Sequence, residues 1–354
     1  MPTALAKYTP QVLVDTSELS EEEWLEYRRL GIGGSDAAAV LGISPWTTSR
    51  DLYYDKRGIV SAIDDSDNWV QLEVGHLLED LVGRIFAKKS GFKIIRVKKM
   101  FQHPHHPFML ADIDFLVELP DGTYAILECK TTNSNARDKW WDSEGREIVP
   151  AYYVAQGRHY MAVLNISRVY YCCLYDNNED SAIIRHIDRD LECESELIYL
   201  EEEFWVNHVQ AEVPPPYTED GDLIDESVSR HFGPADPSEA QVTLTVEFMD
   251  GLAQYLELQA QKKLVDAQSK ALESQMKRIR GLVADVMGKC CTAACIDGGE
   301  GYTITYNPSS RNIMTKENME RLQLQHPEIF AEYVTSSESR RFNIKQVRQE
   351  AAAA

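Results

Sequence analysis

The sequence predicts an α/β (α+β) fold in which helices flank a central mixed sheet, followed by a C-terminal helical extension. Apolar residues first repeat at helical intervals and, after Gly91, alternate as they do in strands. A further helical stretch and more strand-like stretches follow in the chain. Beyond a proline-rich segment lies one long stretch rich in Gln, Lys, Glu and Leu, which is typical of a helix.

The first part of the chain is predicted to be mainly helical. Ser20 and Glu23 have the spacing of a capping box, so we expect a helix to begin there and to end before the stretch GIGGSDAAAVLG. In that stretch Ser35 and Asp36 are N-cap candidates for a short helix through Leu41. Further helices are predicted over residues 51–57 and 69–89.

Strands dominate the next part. Residues 92–100, 108–119 and 124–132 are predicted to form a three-stranded meander, with a tight turn at Pro120-Asp121-Gly122. The predicted core is completed by a helix over 152–164, strands over 168–174 and 182–188, and an acidic helix to Gln210.

Composition divides the chain into four predicted segments. A core domain over residues 1–212 precedes an acidic, Pro-rich linker over 213–238. Residues 239–289 are predicted to be a long helical or coiled-coil segment, and 290–354 a small α+β domain with a last strand around Phe342. In the helical segment, leucines lie near heptad spacing but with gaps, so we expect a helical hairpin or a short coiled coil. They are Leu252, Leu256, Leu264 and Leu272.

The charge distribution is uneven. The 36 Lys and Arg against 57 Asp and Glu give a net charge of -21, which superficially argues against a nucleic-acid partner. However, 13 acidic residues and no Lys or Arg lie between Asp190 and Ser229, whereas seven basic residues and no acid lie between Arg84 and Lys99. The basic run is compatible with a local DNA-binding face or simply with the solvated face of a helix and strand.

The sequence also predicts where the protein acts. No apolar run approaches the roughly 20 residues of a membrane span, so we expect no membrane association. The N-terminal residues MPTALAKYTP do not resemble a signal peptide, and the seven cysteines are unevenly spaced. We therefore expect a cytoplasmic protein.

One group of residues could carry chemistry. Glu128 and Lys130 are predicted to lie on one face of a strand, and Asp114 lies on the preceding strand. Two neighbouring carboxylates repel each other unless a divalent cation lies between them, and Mg²⁺ prefers a few carboxylates together with waters. Such a site suits metal-assisted attack of water on a phosphodiester. Glu-x-Lys alone is equally typical of a surface salt bridge.

The acid followed by Glu-x-Lys is similar to the active-site signature of the PD-(D/E)XK nucleases. The stretch WLEYRRLGIGGSDAAAVLG from Trp24 to Gly42 also resembles the opening motif of the YqaJ-like viral recombinases, which are related to lambda exonuclease. The resemblance covers roughly residues 21–207. Four further stretches match the family's motifs in order: Gly75-x-x-x-Glu79, Ala-Asp-Ile-Asp114, Leu127-Glu128-Cys129-Lys130 and the helix bearing Gln156.

The resemblance implies a restriction-endonuclease-like core, with an exonuclease domain over residues 1–212, and a role for each matched residue. Asp114, Glu128 and the backbone carbonyl of Cys129 would bind Mg²⁺, with Mn²⁺ as a possible substitute. Glu79 would bind the same ion or a second one. Lys130 would hold or help to deprotonate the attacking water.

The remaining implied roles concern water and phosphate. Gln156 would orient the water or the phosphate, and Arg28 and Ser35 would bind the 5′-terminal phosphate of DNA. From physics alone, Ser35 could equally be a helix cap, and Arg28 could form a surface ion pair with Glu21 or Glu23. The chain departs from the family at two positions, with Phe115 in place of a common Gly and Arg158 in place of a second Gln.

By resemblance, we expect a Mg²⁺-dependent exonuclease that resects double-stranded DNA ends from 5′ to 3′ for phage-type recombination. The resemblance implies a single-strand annealing protein and further copies of the chain as partners, with a trimer as the common assembly in the family, in the cytoplasm of a bacterial host. Two alternatives remain open. The same site could serve a structure-specific or single-strand nuclease, or the chain could be a DNA-end-binding module that does not cleave.

Overall fold

The structure, a computed structural model, describes residues 8–62, 69–132, 134–176, 178–297, 300–335 and 342–344. The chain divides into two units, Met1–Gly233 and Pro234–Ala354. In the first unit the described strands are β1 (Gln11–Asp15), β2 (Lys93–Arg96), β3 (Lys99–Gln102), β4 (Leu110–Asp112), β5 (Phe115–Glu118), β6 (Tyr124–Thr132), β7 (Arg168–Tyr175) and β8 (Ile183–Asp188). Its described α-helices are α1 (Glu21–Arg29), α2 (Ala37–Val40), α3 (Ser49–Lys56), α4 (Trp69–Ser90), α5 (Ala151–Leu164), α6 (Leu191–Phe204) and α7 (Gly221–Phe232).

A mixed five-stranded sheet forms the centre of the first unit. Its order is β2-β5-β6-β7-β8, and only the central pair β6 and β7 is parallel. A parallel pair requires a crossover connection, and α5 lies in it. The predicted core, a mixed sheet flanked by helices, is therefore confirmed.

Strand β6 shows how the two faces of this sheet are covered. Leu127 is fully buried in a cluster with Val82 and Phe86 of α4. Ile126 is fully buried in a second cluster that includes Met161 of α5. Because side chains alternate along a strand, Glu128 and Lys130 share the α5 face with Ile126.

The predicted meander is only partly correct, because two of its three strands bend and contribute to two sheets. Residues 92–100 become β2 and the start of β3, and residues 108–119 become β4 and β5. A smaller sheet has the order β1-β3-β4. In it the second half of the first bent segment, β3, pairs with the first half of the second bent segment, β4. The bends face each other, since Val97 N donates to Asp114 O at 3.3 Å. The second bend determines where the Asp114 side chain lies.

The predicted linker differs from the structure. Residues 221–232 form α7, which packs on α3. Ser227 Oγ donates to Asp51 Oδ1 at 2.8 Å, and the rings of Tyr54 and His231 stack with centroids 3.7 Å apart. The first unit therefore extends to Gly233 rather than ending at residue 212. The Pro-rich, acidic composition pointed to a linker, whereas the contacts that hold α7 are made with α3, which is distant in sequence.

The second unit contains α8 (Phe248–Met287), β9 (Thr292–Asp297), β10 (Glu300–Thr305), α9 (Lys316–Gln325) and α10 (Pro327–Tyr333). The antiparallel pair of strands and the helix capped by Thr315 agree with the prediction. Residues 248–287 form one unbroken helix, so the alternative of a helical hairpin in this segment is wrong. Residues 239–247 are not helical. Phe342 itself does not lie in a strand, and the other residues around it, over which the last strand was predicted, lie mostly outside the described residues. In the described part of the chain, no helix is both long and apolar enough to cross a membrane.

Candidate active site

Glu128 and Lys130 form an ion pair on the α5 face of β6. Lys130 Nζ donates to Glu128 Oε1 at 2.7 Å. Only 5% of Glu128 is exposed, so this pair is not the surface salt bridge that the sequence left open. Burial disfavours the charged form of Lys130, but Glu128, Tyr153 and Asp114 raise its pKa above the usual value. Lys130 is therefore a charged ammonium in a largely dry site.

Helix α5 adds Gln156 to this pair. Its Nε2 donates to Glu128 Oε1 at 2.7 Å and lies 3.3 Å from the hydroxyl of Tyr160. Glu128 Oε1 thus accepts from two donors, whereas the buried Oε2 has no hydrogen-bond partner among the described residues. A buried carboxylate oxygen without a donor or cation is costly. This oxygen is the clearest sign that the site binds a positively charged group.

Asp114 lies at the bend between β4 and β5. Its Oδ2 accepts from Cys129 N at 2.8 Å. The register explains this contact. Phe115, the first residue of β5, pairs with Leu127 of β6. Asp114 precedes Phe115, so its side chain reaches the N–H of Cys129, which lies just beyond the paired part of β6. Burial, Glu128 and Glu79 raise the pKa of Asp114 well above its usual value. Three carboxylates therefore interact with one another here.

The backbone carbonyl of Cys129 lies at the same edge of β6. In a strand, the N–H and the C=O of one residue point to the same side. The Cys129 N–H donates to the Asp114 carboxylate. The Cys129 carbonyl therefore points to the same side of β6 as the Asp114 side chain. The Cys129 side chain points to the opposite face, where it packs against the α4 cluster.

Glu79 approaches from α4 and is held by a cation of the protein. Arg96 Nη1 donates to Glu79 Oε2 at 3.1 Å, and Arg96 Nη2 donates to Asp80 Oδ1 at 2.7 Å. The Arg96 guanidinium lies 4.5 Å from the ring centroid of Phe115, the residue that replaces the family's common Gly. Phe115 therefore positions Arg96 beside Glu79.

The donor set fits a hard divalent cation. Asp114, Glu79, the unpartnered Glu128 Oε2 and the Cys129 carbonyl supply only oxygens, which Mg²⁺ prefers. In the part of the chain that the structure describes, no three His, Cys, Asp or Glu side chains are already close enough to hold an ion. Arg96 binds Oε2 of Glu79, and Lys130 and Gln156 bind Oε1 of Glu128. A cation would be held by the other oxygen of each carboxylate or would displace these donors.

A cleft of about 590 Å³ joins this group to the second group of predicted residues. Asp114 and Glu79 line it, and so do Arg28 and Ser35. Asp112 also lines the cleft, where its Oδ2 accepts from Trp24 Nε1 at 2.7 Å. Residues far apart in sequence thus share one open space.

Arg28 and Ser35 contact each other directly. Arg28 Nη2 donates to Ser35 Oγ at 2.9 Å and to Asp36 Oδ1 at 2.7 Å. Asp36 also accepts from Lys56 Nζ at 2.7 Å, and the Lys56 side chain is fully buried. Although burial opposes ionisation, Arg28 and Lys56 hold the pKa of Asp36 well below its usual value. Arg28 and Lys56 thus share the Asp36 carboxylate, and Asp55 Oδ2 lies 3.8 Å from Lys56 Nζ as a second acid.

Both alternative interpretations from the sequence need correction. Arg28 pairs with Asp36 and not with Glu21 or Glu23. Ser35 lies inside a single 3-10 turn, and neither Ser35 nor Asp36 caps the short helix α2 with its side chain. The Asp36 carboxylate instead accepts from Gly33 N at 2.8 Å. The hydroxyl of Ser35 is therefore available to a ligand together with Arg28.

Glycines allow this segment to lie close to the strand that leads to Asp114. A Cβ on Gly31 would lie 2.4 Å from Phe108 O, and one on Gly34 would lie 2.4 Å from the Tyr160 ring. Between them, Ile32 N donates to Phe108 O at 2.6 Å. The segment is thus fixed against both β4 and α5.

Comparison with known proteins identifies the family. Residues 23–167 match the YqaJ-like viral recombinase domain. The chain is 30% identical over 347 residues to the uncharacterized protein YqaJ of Bacillus subtilis (strain 168), which covers 95% of this chain and 98% of that one. The chain belongs to the YqaJ-like family.

Solved structures with a similar arrangement include two exonucleases. The alkaline exonuclease of Laribacter hongkongensis is 19% identical and matches over 54% of this chain and 94% of its own, with a TM-score of 0.43. A phage-related exonuclease from Haemophilus somnus 129PT is 12% identical, over 53% of this chain and 99% of its own, with a TM-score of 0.40.

Sequence inspection of this YqaJ-like chain missed several residues that shape the site. Lys56 gave no signal in a short amphipathic helix, and Asp36 was interpreted only as a cap. Arg96 belongs to the basic run, in which two other members pair with acids away from the cleft. Lys88 contacts Glu179 and Lys93 contacts Glu118, both at 2.8 Å. Only the fold could show that Arg96 and Lys98 are the members that line the cleft.

Proposed function

We propose that the protein is a Mg²⁺-dependent exonuclease that resects one strand of double-stranded DNA from the 5′ end. The observation that carries this proposal is the single cleft that contains both Asp114, beside the buried Glu128 and Lys130, and the contacting pair Arg28 and Ser35. Membership in the YqaJ-like viral recombinase family supports DNA as the substrate.

Four groups of the chain are proposed to hold the metal: the carboxylates of Asp114, Glu128 and Glu79 and the carbonyl of Cys129. When bound, Mg²⁺ would act as a Lewis acid on the scissile phosphate and lower the cost of bringing an anion beside these carboxylates. Binding would also compensate Glu128 Oε2, which is buried and has no partner among the described residues.

Lys130 is proposed to stabilise charge rather than to act as a base. Its pKa is raised, since Glu128, Tyr153 and Asp114 outweigh the effect of burial, so it retains its proton at neutral pH. A charged ammonium donates hydrogen bonds to the attacking water and to the phosphate oxygens as their negative charge grows. Gln156 holds Glu128 through its Nε2 and thereby keeps one carboxylate oxygen directed towards Lys130.

Arg28 and Ser35 are proposed to bind the 5′-terminal phosphate. A guanidinium and a hydroxyl at 2.9 Å from each other can both donate to one phosphate group. Asp36 fixes Arg28 at 2.7 Å, which reduces the conformational freedom lost on binding. Recognition of a 5′-phosphate at one end of the cleft would position the first phosphodiester near Asp114 and so favour cleavage from the 5′ end.

A nuclease assay on defined DNA substrates tests this proposal. Linear duplex with a 5′-phosphate, closed circular duplex and single strands should be incubated with Mg²⁺, with Mn²⁺ and with a chelator. We expect degradation of the linear duplex alone, and only with a metal. Degradation of closed circles or a preference for single strands would favour the structure-specific or single-strand alternative, and binding without cleavage would favour a DNA-end-binding module.

Two lysines provide a matched pair of variants for the same assay. Lys130→Ala should lower the rate at least about 100-fold, as expected for loss of one electrostatic donor at the reacting group. Lys88→Ala removes an exposed lysine that also pairs with a glutamate and should leave the rate unchanged. Equal rates for Lys130→Ala and the unmodified protein would exclude the site assignment.

Polarity is tested with Arg28→Ala. Duplex with a 5′-phosphate should be degraded faster than duplex with a 5′-hydroxyl, and Arg28→Ala should abolish that preference. Arg84→Ala, on an exposed part of α4, is the control that should keep it. Earlier release of a 3′ label than of a 5′ label would contradict the proposed direction.

The proposed product, a duplex with 3′ single-stranded tails, is a substrate for a single-strand annealing protein. We therefore propose such a protein as a partner, and further copies of this chain as a second partner, in the cytoplasm of a bacterial cell with a phage or prophage. Co-purification of the full chain with the candidate annealing protein tests the first partner. Absence of a complex at micromolar concentration would contradict it.

A further inference from the structure

Helix α8 carries an apolar row that none of the proposed activities uses. It contains 40 residues and is therefore about 60 Å long. Apolar side chains recur at every seventh position, which is the repeat of a two-stranded coiled coil. They are Leu258, Val265, Leu272, Ile279 and Val286.

This row is exposed along its whole length. The exposed fractions are 55% for Leu258, 61% for Val265, 62% for Leu272, 64% for Ile279 and 88% for Val286. A contiguous apolar strip on a soluble helix is typical of an interaction surface. Of the four leucines that lie near heptad spacing, only Leu272 belongs to this row, so the leucines alone do not reveal it.

A second row lies three residues before the first and completes the heptad pattern. It begins at Tyr255, whose ring centroid lies 5.0 Å from that of Phe342 in the same chain. The polar residues Lys262 and Ser269 follow, and then Met276 and Val283. We assign the second row to the heptad positions a and the first row to the heptad positions d, and call the two rows together the seam. The seam is then apolar at every d position and polar at two a positions. Polar residues at a are used to fix the register of two-stranded coiled coils.

We propose that α8 pairs in parallel with α8 of a second copy of this chain. The seam from Leu258 to Val286 contains seven apolar side chains, and burying each removes roughly 60 to 120 Å² from water. The pair would bury roughly 800 to 1,700 Å², a range that includes the roughly 1,000 Å² needed by a stable interface. An identical row on each copy makes the surface complementary to itself.

The C-terminal half of the seam borders an open apolar groove. Met276, Ile279 and Val283 line an apolar groove of about 440 Å³ together with Ile304 and Tyr306. The groove is therefore continuous with the seam.

Flanking charges select the parallel orientation. The e positions beside the seam are Asp266, Glu273 and Arg280, and the preceding g positions are Gln261, Gln268 and Gln275. In a parallel pair each charged e residue lies beside a neutral glutamine of the other copy. In an antiparallel pair with full overlap, Asp266 would face Glu273 of the other copy at two symmetrical places. Like charges facing each other are unfavourable.

The central Lys262 is compatible with the parallel pair. Its Nζ donates to Asp266 Oδ2 at 2.8 Å on the same helix. The positive charge of Lys262 at the seam is therefore balanced by the carboxylate of Asp266. Lysine can also extend its ammonium to solvent while its stem remains on apolar surface. The resulting pair would be less stable than one with an apolar residue at this position, but it would have a defined register.

Solution mass measurements on the full chain test the proposal. Leu272→Asp should lower the mass of the assembly, whereas Leu264→Asp should not. Leu264 is a matched control, because it is also a leucine of α8, is 67% exposed and lies outside both rows. A monomeric unmodified chain, or equal masses for the two variants, would overturn the proposal.

Cysteine cross-linking tests the orientation independently. After mild oxidation of Leu258→Cys, near one end of the seam, peptide mass spectrometry should show a link between residue 258 of two copies. An antiparallel pair would place these two residues at opposite ends of the seam and give no such link. Leu264→Cys should give at least about 10-fold less of its own link, because its side chain points away from the partner. Equal yields of the two links would overturn the pairing. Because neither experiment measures cleavage, their outcome is independent of the proposed nuclease activity.

Discussion

Replacing Lys56 by Met tests whether the pair of cations around Asp36 stabilises the segment that carries the proposed 5′-phosphate site. The Lys56 side chain is fully buried, and its Nζ lies 2.7 Å from Asp36 Oδ2 and 3.0 Å from the backbone oxygen of Arg28. Methionine has a similar length but neither charge nor donors. The substitution therefore removes the ion pair with little change in volume.

The expected loss of stability follows from burial. Removing one partner of a buried ion pair costs about 3 to 5 kcal/mol, because the other charge is left uncompensated. Asp36 would keep Arg28 and the N–H of Gly33, so we expect the lower end, about 3 kcal/mol. The pKa of Asp36 is held below its usual value. Its contribution to stability is thus present above the unfolded pKa and is lost only as the pH falls through the lower, folded pKa.

Denaturant unfolding at neutral pH measures this loss. Lys56→Met should lower the midpoint with an unchanged m-value, and Asp36→Asn in the same chain should restore part of the loss because the unpaired carboxylate is removed. Lys88→Met, which breaks an exposed pair at 2.8 Å with Glu179, should leave the midpoint unchanged. If the Lys56 and Lys88 variants unfold at the same midpoint, the argument from burial is refuted.

Two further predictions concern α5. Gln156→Ala removes a donor to the Glu128 carboxylate, so kcat should fall by about 10-fold to 100-fold with a small change in KM. Gln156→Glu adds a repelling carboxylate and should be slower still. A near-normal rate for Gln156→Glu would contradict the assignment. His159 and Glu201 are fully buried at 2.8 Å, and His159 Nε2 donates to Leu110 O, so His159→Gln should destabilise the fold by about 3 to 5 kcal/mol. Burial lowers the pKa of His159, but Glu201 and the Leu110 carbonyl raise it further. The charged contribution is therefore complete below the unfolded pKa and is lost as the pH rises through the folded pKa, so unfolding curves should show a smaller difference in alkaline than in acidic solution.

The sequence was sufficient to predict the parts of the fold that depend on local patterns. The capping box at Ser20 and Glu23 is present, and the strand that contains Glu128 and Lys130 runs over the predicted residues. In these places propensity, alternation and turn residues agree with one another. The same local information predicted that both residues share a face.

The bend at Asp114 could not be predicted in this way. Residues 108–119 alternate as one strand would, yet the structure divides them into β4 and β5. The bend becomes favourable only when β3 and β6 are in place, because the Asp114 carboxylate then replaces a backbone partner of Cys129. This is a tertiary effect of the kind that overrides local preference. Lys56 and Arg96 belong to the same class, since their roles depend on residues distant in sequence.

The two interpretations of Glu128 and Lys130 turn out not to exclude each other. The salt bridge exists at 2.7 Å, but it lies in a site where Glu128 keeps one oxygen without a partner among the described residues and Asp114 carries a raised pKa. A purely structural pair would be expected to satisfy both oxygens, because an unsatisfied buried carboxylate oxygen costs more than one ion pair returns. The incomplete partnering of Glu128, rather than the Glu-x-Lys pattern, therefore supports the proposed metal site. It predicts that added Mg²⁺ will raise the unfolding midpoint of the unmodified protein more than that of the Glu128→Gln variant.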